Sequence, residues 1–353
     1  MIKKDETLKT GKKVMVGMSG GIDSSVTAYM LQEKGYEVEG VYLKLHNRTD
    51  GYHERNLGYI EDVAKFLNIK YHILDLSDEF TKKVYDYFVD SYLEGTTPNP
   101  CVKCNRQIKF GAMLKFAQEH GASYLATGHY AKTDGKFFYE ADDKTKDQSY
   151  FLSQVEKEAL PYMMFPLSTF KKEDIIKFGE KLDSAYKRIT EKSESQEICF
   201  VDTVYTDVIK RHANIDMPGK VLDENGNVVG EHKGYMHYTI GKRRGFTVHG
   251  AHEPHFVTKL NPKDNTIVVG KKESLEINKV EIENLNMFID DKEFNCSVKL
   301  RYRSRSTPCS VKIENNKGYI QLEEPAFGVA AGQLAVFYKD EKVLGSGWIT
   351  DAK

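Results

Sequence analysis

The chain has 353 residues, of which 40% are hydrophobic, and its formal net charge is −1 at pH 7. This length indicates two or three domains, and the near-neutral charge excludes a global basic field, so that nucleic-acid binding would have to come from local patches. No apolar run is long enough for a membrane helix, the N-terminus is polar, and the odd number of five cysteines argues against a disulfide framework, so we expect a cytoplasmic protein without membrane attachment.

The first half of the sequence alternates strand-like and helical patterns. Apolar runs predict strands at 12–18, 36–45, 71–77 and 123–130. Apolar residues at helical spacing predict helices at 24–34, 57–67, 80–92 and 110–117. Strands that alternate with helices predict an α/β domain with a doubly wound parallel sheet.

The pattern changes beyond about residue 212, where β-branched runs are separated by Asn-Gly, Asp-Asn and Asn-Lys-Gly turns. Such turns between strand-like runs predict hairpins. We therefore expect three domains: an α/β catalytic domain over 1–212, a small central β-rich domain over 213–274 and a C-terminal β-barrel-like domain over 275–353.

A Gly-rich turn, GMSGGIDSS at 17–25, follows the first predicted strand and opens the first helix. In that setting backbone N–H groups and the helix dipole bind an anion such as a phosphate, and Gly20 and Gly21 allow close approach. Asp23 would repel a bare phosphate, so we expect it to cap the helix or to work with Mg²⁺. The sequence has neither a Walker loop nor a dinucleotide fingerprint, and a purely structural strand-to-helix turn is the alternative.

Two of the cysteines, Cys101 and Cys104, form a C-x-x-C pair in TPNPCVKCNRQIKF. A zinc site would need further ligands at matching spacing, and the sequence offers no second C-x-x-C and no H-x-x-x-H. Cys104 lies near the start of a predicted helix beside Lys103 and Arg106, so we expect a lowered pKa of its thiol. Apolar neighbours predict buried structural positions for the other cysteines, Cys199, Cys296 and Cys309.

Five short motifs occur in a fixed order along the chain. They are SGGIDSS at 19–25, PNPCVKCNRQIKF at 98–110, ATGHY at 126–130, KDQSYFL at 146–152 and ICF at 198–200. This set resembles the tRNA-specific 2-thiouridylases of the ATP pyrophosphatase (PP-loop) superfamily. The resemblance continues through HYTIGKRRGF and GQLAVFY and so covers essentially the whole chain.

The resemblance implies an ATP-dependent 2-thiolation of the wobble uridine in tRNAs for lysine, glutamate and glutamine. ATP would adenylate the 2-carbonyl oxygen, and sulfur would then replace that oxygen. The resemblance also implies that Cys199 carries a persulfide and that Cys104 attacks it, which releases sulfide and leaves a disulfide between the two cysteines. A cysteine desulfurase, a carrier protein or free sulfide would donate the sulfur.

Cys101 departs from the family pattern, because many members have an aspartate at this position. Cys101, Cys104 and Cys199 could together hold three irons of a [4Fe–4S] cluster, whose open fourth iron would deliver hydrosulfide. In the alternative, Cys101 is a spectator and the persulfide route operates. Metal ligation by these three cysteines is therefore an open hypothesis at this point.

The resemblance also assigns binding residues. The ATP-binding positions are Gly17, Met18, Ser19, Gly20, Gly21, Ile22, Asp23, Ser24, Leu43 and Gly128. The residues that contact the target base are Asn99, Pro100 and Cys101. The residues that contact tRNA are His129, Lys146, Asp147, Gln148, Arg301, Tyr302 and Gln333.

A basic run, LRYRSRS at 300–306, lies in the predicted C-terminal domain. Lys299, Arg301, Arg303 and Arg305 alternate with other residues, which predicts one strand face with four cations that a phosphate backbone would neutralise. This basic face and the cysteines argue against the alternative function, a small-metabolite synthetase of the same superfamily.

Overall fold

The computed structural model describes residues 10–46, 50–190, 198–201 and 203–353. The chain divides into two compact units. The first unit comprises 1–83, 101–196 and 341–343, and the second unit comprises 84–100, 197–340 and 344–353. The second unit thus includes a segment, 84–100, from the middle of the α/β half of the sequence.

The first unit is built on a parallel sheet. Its strands are β1 (Lys13–Gly17), β2 (Glu37–Lys44), β3 (Lys70–Asp75), β4 (Tyr124–Ala126), β5 (Lys132–Thr133), β6 (Phe138–Tyr139) and β7 (Met163–Met164). The parallel sheet has the order β3-β2-β1-β4-β7, while β5 and β6 pair as an antiparallel hairpin. Strand order reverses at β1, between β2 and β4, and open α/β sheets bind ligands at such a switch point. The predicted doubly wound sheet is confirmed.

Helices connect these strands. They are Ile22–Glu33, Tyr52–Leu67, Ser77–Phe80, Pro100–Cys104, the π-helical Asn105–Ala112, Met113–Glu119, Ser149–Leu152, the 3₁₀ helix Lys157–Tyr162, Lys172–Leu182 and Ser184–Thr190. Of the apolar residues that predicted the second helix, Ile60, Ala64 and Leu67 are buried and Leu57 is half-buried. Val14 and Val16 on β1 are also fully buried, as expected for a central parallel strand that is covered on both faces.

The second unit is mainly β. Its strands are β8 (Gly219–Leu222), β9 (Val228–His232), β10 (Phe246–Val248), β11 (Phe256–Asn261), β12 (Thr266–Gly270), β13 (Glu276–Met287), β14 (Glu293–Lys299), β15 (Thr307–Glu314), β16 (Lys317–Phe327), β17 (Leu334–Lys339) and β18 (Lys342–Ala352). Strands β8 to β12 form a sheet of order β10-β9-β8-β12-β11. Strands β13 to β18 follow the order β13-β16-β15-β14-β17-β18, and pairing of β13 with β18 closes them into a barrel. The predicted central β-rich domain and C-terminal barrel are confirmed.

Short helices complete the second unit. They are Asp86–Leu93, Tyr205–Ile209 and the 3₁₀ turns Tyr235–His237 and Lys272–Leu275. Inside the barrel, Cys296 and Cys309 face each other across β14 and β15 with their sulfurs 3.6 Å apart, and Cys309 is buried as expected. In the part of the chain that the structure describes, no helix is long and apolar enough to cross a membrane.

The predicted strand face with four cations is wrong. Strand β14 ends at Lys299, and a turn follows, in which the Ser304 N–H donates to the Arg301 carbonyl oxygen over 3.1 Å. The Arg301 N–H in turn donates to the Ser304 hydroxyl oxygen over 3.2 Å. A serine hydroxyl that binds nearby backbone groups competes with a β ladder, which explains the early end of the strand. Arg305 pairs with Glu324 at 3.4 Å, so its charge is already compensated.

Candidate active site

The Gly-rich turn between β1 and the first helix forms a loop at the switch point, and hydrogen bonds hold this loop to β2 and within itself. The Met18 N–H donates to the Val41 carbonyl oxygen over 2.8 Å, which ties the loop to β2. Ser24 Oγ accepts the Ser19 N–H over 3.2 Å and donates to the Gly21 carbonyl oxygen over 3.0 Å. The N-cap residue of this helix is Gly21, which has no side chain to cap the first N–H groups, so these groups and the helix dipole can bind an anion.

Two glycines allow close contacts around this loop. Gly20 has a φ of +73°, and a Cβ there would lie 2.9 Å from the Asn56 carbonyl oxygen. Gly128 follows β4, and a Cβ there would lie 2.8 Å from the Cβ of Asp23 and 2.9 Å from the amide nitrogen of Ser24. The fold therefore brings together the predicted ATP-binding positions 17–24 and 128, while the half-buried Leu43 lies on the adjacent strand β2.

Asp23 is held by two donors within the first unit. Lys172 Nζ donates to Asp23 Oδ2 over 2.6 Å, and the Tyr130 hydroxyl donates to Asp23 Oδ1 over 2.8 Å. Lys172 is 8% exposed, so its charge needs this partner. The expectation that Asp23 caps the helix is wrong, because its side chain makes no cap hydrogen bond. An ion-paired carboxylate is also a weak Mg²⁺ ligand, and Mg²⁺ in such a site would be held chiefly by nucleotide phosphates.

His129 follows Gly128 and is half-buried. Lys109 Nζ lies 3.5 Å from His129 Nε2, and an ammonium group can only donate, so Nε2 accepts and the ring proton resides on Nδ1. Nδ1 then donates to Thr127 Oγ1 over 2.7 Å. Burial, and then the positive charge of Lys109, lower the pKa of His129 well below its ordinary value, so this ring is neutral near pH 7.

Cys101 and Cys104 lie on the short helix that begins at Pro100. Cys101 is exposed, whereas Cys104 is 7% exposed. Burial raises the pKa of Cys104 to about 11, although the positive charge of Lys109 lowers it in part. The predicted low pKa is therefore wrong, because desolvation of the thiolate outweighs the nearby cations.

Arg106, which was expected to act on Cys104, is engaged elsewhere. Its Nε donates to Glu156 Oε1 over 2.9 Å, and its Nη1 donates to Gln154 Oε1 over 2.8 Å. The acidic partner compensates the guanidinium charge. These bonds also fix the π-helical stretch that follows Cys104, a rare helix form that often occurs at functional sites.

Cys199 lies in a turn of the second unit and not at the predicted buried position. The Val201 N–H donates to the Ile198 carbonyl oxygen over 2.9 Å, and Cys199 is exposed while Phe200 is buried. Because Cys104 belongs to the first unit, an approach of the two sulfurs stays a prediction.

A [4Fe–4S] cluster would require the three thiolates of Cys101, Cys104 and Cys199 to converge on one point. Within residues 10–46, 50–190, 198–201 and 203–353, no three or more His, Cys, Asp or Glu side chains are arranged to hold a metal ion. Because Cys101 and Cys104 belong to the first unit and Cys199 to the second, ligation of a cluster by all three cysteines stays a prediction.

Several predicted tRNA-binding residues are used inside the protein. Asp147 accepts the Ala141 N–H over 2.9 Å and the Ser149 hydroxyl over 2.8 Å, and burial raises its pKa. The Tyr130 N–H donates to the Gln148 side-chain oxygen Oε1 over 3.0 Å, and the Gln148 N–H donates to the Tyr130 carbonyl oxygen over 2.7 Å. Contact with tRNA stays a prediction for the whole set, His129, Lys146, Asp147, Gln148, Arg301, Tyr302 and Gln333.

Residues of the second unit in this set also have internal partners. The Arg301 guanidinium donates to the carbonyl oxygens of Ile240, over 3.3 Å, and Gly328. Among the predicted base-contacting residues, Asn99 and Pro100 are buried, and the Asn99 N–H donates to the Tyr87 hydroxyl oxygen over 3.2 Å.

Lys172 and Tyr130 are the partners of Asp23 that sequence reasoning missed. Tyr130 lies in the ATGHY motif, but only Gly128 and His129 of that motif were assigned roles. Lys172 carries a weak signal: it is the first residue of the helix Lys172–Leu182, where the helix dipole disfavours a cation unless an acidic group lies nearby.

Family models match nearly the whole chain. Residues 12–203 match the tRNA methyl transferase HUP domain, residues 206–271 the tRNA methyl transferase PRC-barrel domain, and residues 276–349 the aminomethyltransferase beta-barrel domain. A solved 4-thiouridine synthetase in complex with RNA and ATP has a low similarity to this chain, with 21% sequence identity and a TM-score of 0.39. The similarity covers 54% of this chain and 45% of that one.

Curated relatives align over almost their full length. The tRNA-specific 2-thiouridylase MnmA 1 of Aliarcobacter butzleri is 82% identical over 97% of this chain and 99% of its own. The tRNA-specific 2-thiouridylase MnmA of Sulfurimonas denitrificans is 55% identical over 96% of this chain and 99% of its own. This chain therefore belongs to the tRNA-specific 2-thiouridylase family.

Proposed function

We propose that this protein uses ATP to replace the 2-oxygen of the wobble uridine in tRNA with sulfur. The observation that carries the proposal is the loop at the switch point, where the helix has no side-chain cap and the Asp23 carboxylate is neutralised by Lys172 and accepts the Tyr130 hydroxyl. Such a loop suits the pyrophosphate part of ATP. The two relatives described above are named tRNA-specific 2-thiouridylases, which supports 2-thiolation of tRNA uridine as the reaction of this chain.

The first proposed step activates the base. The uridine O2 attacks the α-phosphorus of ATP, the bond to the bridging oxygen of the β-phosphate breaks, and pyrophosphate leaves. AMP on O2 is then a good leaving group, whereas oxide would be a very poor one. We assign ATP binding to residues 17–24, Leu43 and Gly128, with backbone N–H groups directed at the phosphates. Bound Mg²⁺ supplies further charge neutralisation on the phosphates.

The second proposed step delivers sulfur. Cys199 carries the persulfide, and the Cys104 thiolate attacks Cys199 Sγ, so that the sulfur–sulfur bond breaks and its electron pair leaves with the terminal sulfur as hydrosulfide. Two thiol sulfurs are oxidised to a disulfide while the sulfane sulfur is reduced to sulfide. Hydrosulfide then adds to C2 of the activated base and expels AMP. A dithiol reductant regenerates the two cysteines.

The high pKa of Cys104 limits this step. With a pKa of about 11, its thiol is almost entirely protonated at neutral pH, so deprotonation must accompany substrate binding. Lys109 favours the thiolate, and its charge lowers the pKa in part.

Recognition of tRNA completes the proposal. We assign Asn99, Pro100 and Cys101 to the flipped target base and the second unit to the anticodon arm, since a stacked base has to leave the stack to react. The proposed substrates are the lysine, glutamate and glutamine tRNAs. The proposed sulfur donor for the Cys199 persulfide is a cysteine desulfurase, directly or through a carrier protein, whereas free sulfide as donor would add directly to C2 of the activated base without a persulfide. The proposed domains remain 1–212, 213–274 and 275–353.

The test is formation of 2-thiouridine in unmodified lysine tRNA, measured by mass spectrometry of nucleosides with ATP, a cysteine desulfurase and cysteine. We expect product with the native protein and with Cys296→Ser as a matched control, and none with Cys199→Ser. Absence of product with the native protein would contradict the proposal. ATP-to-pyrophosphate turnover that requires a small metabolite instead of tRNA would favour the synthetase alternative.

The role of Cys101 has its own test. We expect anaerobically purified protein to lack stoichiometric iron and Cys101→Asp to retain thiolation. About four irons per chain, together with loss of activity in Cys101→Asp, would contradict the persulfide route.

A further inference from the structure

We infer that Gln333 is a positioning residue for the sulfur-transfer reaction, acting on the loop that leads into Cys101 and Cys104. This role is additional to the predicted contact of Gln333 with tRNA. The inference rests on the proposed function, but its first measurement, on the protein alone, does not.

Both amide hydrogens of Gln333 are directed at this loop. Nε2 donates to the Thr97 carbonyl oxygen over 2.9 Å and to the Pro98 carbonyl oxygen over 3.1 Å. An amide nitrogen has two hydrogens, so both acceptors of Nε2 belong to the loop, and Oε1 is the side-chain atom that could contact tRNA. The bonds lie within the second unit and join residues that are 236 and 235 positions apart.

The loop depends on such outside partners because of its sequence. Pro98 and Pro100 have no N–H and so remove two of the backbone donors with which the loop could stabilise itself. The N–H groups that remain in this stretch, those of Thr97 and Asn99, both donate to residues outside the loop. The Thr97 N–H donates to the Ala331 carbonyl oxygen over 2.9 Å, and the Asn99 N–H donates to the Tyr87 hydroxyl over 3.2 Å.

The turn before β17 is shaped to receive the loop. Gly332 has a φ of +87°, and a Cβ there would lie 2.8 Å from the Thr97 carbonyl oxygen, so that a side chain would push the loop away. Gln333 follows directly, and its N–H closes the turn on the Ala330 carbonyl oxygen over 3.3 Å. The loop is therefore fixed by residues 331 to 333 from one side and by Tyr87 from the other.

The position of the loop determines where the helix with Cys101 and Cys104 begins. Pro100 is the first residue of that helix, so a shift of the Thr97 and Pro98 carbonyls moves the start of the helix by a similar amount. A misplacement of about 1 Å at a reacting group can lower a rate by about 100-fold. Gln333 thus affects catalysis through the backbone and without contact with the reacting atoms.

The test compares Gln333→Met, which keeps the side-chain volume but removes both donors, with Gln333→Asn, which keeps the amide but shortens it by one methylene. Gln321→Met is the matched control, because Gln321 is an exposed glutamine on the same barrel whose amide binds the Asn278 carbonyl oxygen at 3.2 Å. Hydrogen exchange of the peptide over residues 94–104 is measured on protein without tRNA. The kcat and KM for thiolation and the Kd for tRNA are measured in parallel.

We expect exchange at the Thr97 and Asn99 amides to become at least about tenfold faster in Gln333→Met. We expect kcat to fall by about 10- to 100-fold while the Kd for tRNA changes less than about threefold. Gln333→Asn should lie between Gln333→Met and the native protein, and Gln321→Met should match the native protein.

Other outcomes contradict the inference. Unchanged exchange with a weakened Kd for tRNA would show that Gln333 contacts tRNA. Faster exchange with unchanged kcat would show that the loop is anchored without consequence for the reaction. If the native protein forms no 2-thiouridine, the proposed function fails, while the exchange result still decides whether Gln333 holds the loop. If Gln333→Met does not fold, the exchange and kcat of Gln333→Asn decide alone.

Discussion

Removal of the positive charge at Lys172 should impair both the stability of the first unit and its affinity for ATP. In Lys172→Met the Asp23 carboxylate keeps the Tyr130 hydroxyl as a donor but loses the ammonium group 2.6 Å away. Methionine has nearly the same length and fits an apolar surrounding, so the loss of charge is the main change. Lys171→Met, at the neighbouring exposed lysine, is the matched control for a general charge effect.

The size of the effect follows from the burial of the pair. Truncation of one member of a buried ion pair costs about 3–5 kcal/mol. The Asp23 side chain is 30% exposed and retains one hydrogen bond, so we expect about 2 kcal/mol for Lys172→Met. The uncompensated negative charge beside the phosphate-binding loop should also weaken ATP binding by about tenfold, which corresponds to about 1.4 kcal/mol.

A double-mutant cycle measures this coupling. The unfolding free energy from urea titrations and the Kd for ATP from calorimetry are compared for Lys172→Met, Asp23→Asn and the double variant. We expect the double variant to be at least about 1 kcal/mol more stable than the sum of the single changes predicts, and to regain part of the ATP affinity. Additive effects within about 0.5 kcal/mol, or an unchanged Kd for ATP in Lys172→Met, would refute the reasoning.

Three further predictions concern the same unit. With a pKa of about 11, Cys104 should be alkylated by iodoacetamide about tenfold faster for each pH unit from 7 to 10, and peptide mass spectrometry that shows a plateau near pH 8 would contradict this. Because burial and Lys109 disfavour the imidazolium form, NMR shifts of His129 should not titrate between pH 8 and pH 6.5, and a midpoint in that range would be inconsistent with its surroundings. Gly128→Ala should abolish ATP binding measured by calorimetry, because the new Cβ would meet backbone and Cβ atoms at 2.8–2.9 Å, whereas Gly58→Ala, with no atom within 4 Å, should leave ATP binding intact. Equal ATP binding by both glycine variants would contradict the close packing at Gly128.

Local signals in the sequence were sufficient for the fold and for the loop at the switch point. The alternation of apolar strands and amphipathic helices predicted the parallel sheet, because both periodicities are properties of short segments. The Gly-rich turn could be placed for the same reason. Lys172 was missed because its partner Asp23 lies 149 positions earlier, and no local pattern encodes such a contact.

The errors arose where tertiary structure or a side chain overrides a local rule. The pKa of Cys104 was expected to fall, but burial of its thiol, which the local sequence does not reveal, raises it. The basic run from Lys299 was expected to continue a strand, but the Ser304 hydroxyl offers the Arg301 backbone an alternative partner. The alternation of cations in the sequence could not distinguish a continued strand from the turn that the structure shows.

The assignment of residues 84–100 to the second unit bears on how this protein could be divided by engineering or by gene rearrangement. Tyr235, in the β-rich half, donates its hydroxyl to the Leu93 carbonyl oxygen, and Tyr87 packs against Trp348 with ring centroids 5.9 Å apart. A fragment cut near residue 212 would leave Tyr87 without its aromatic neighbour and the chain before Cys101 without its anchor. Residues 1–212 are therefore not a transferable module, and the barrel could be exchanged between family members only together with a matching 84–100 segment.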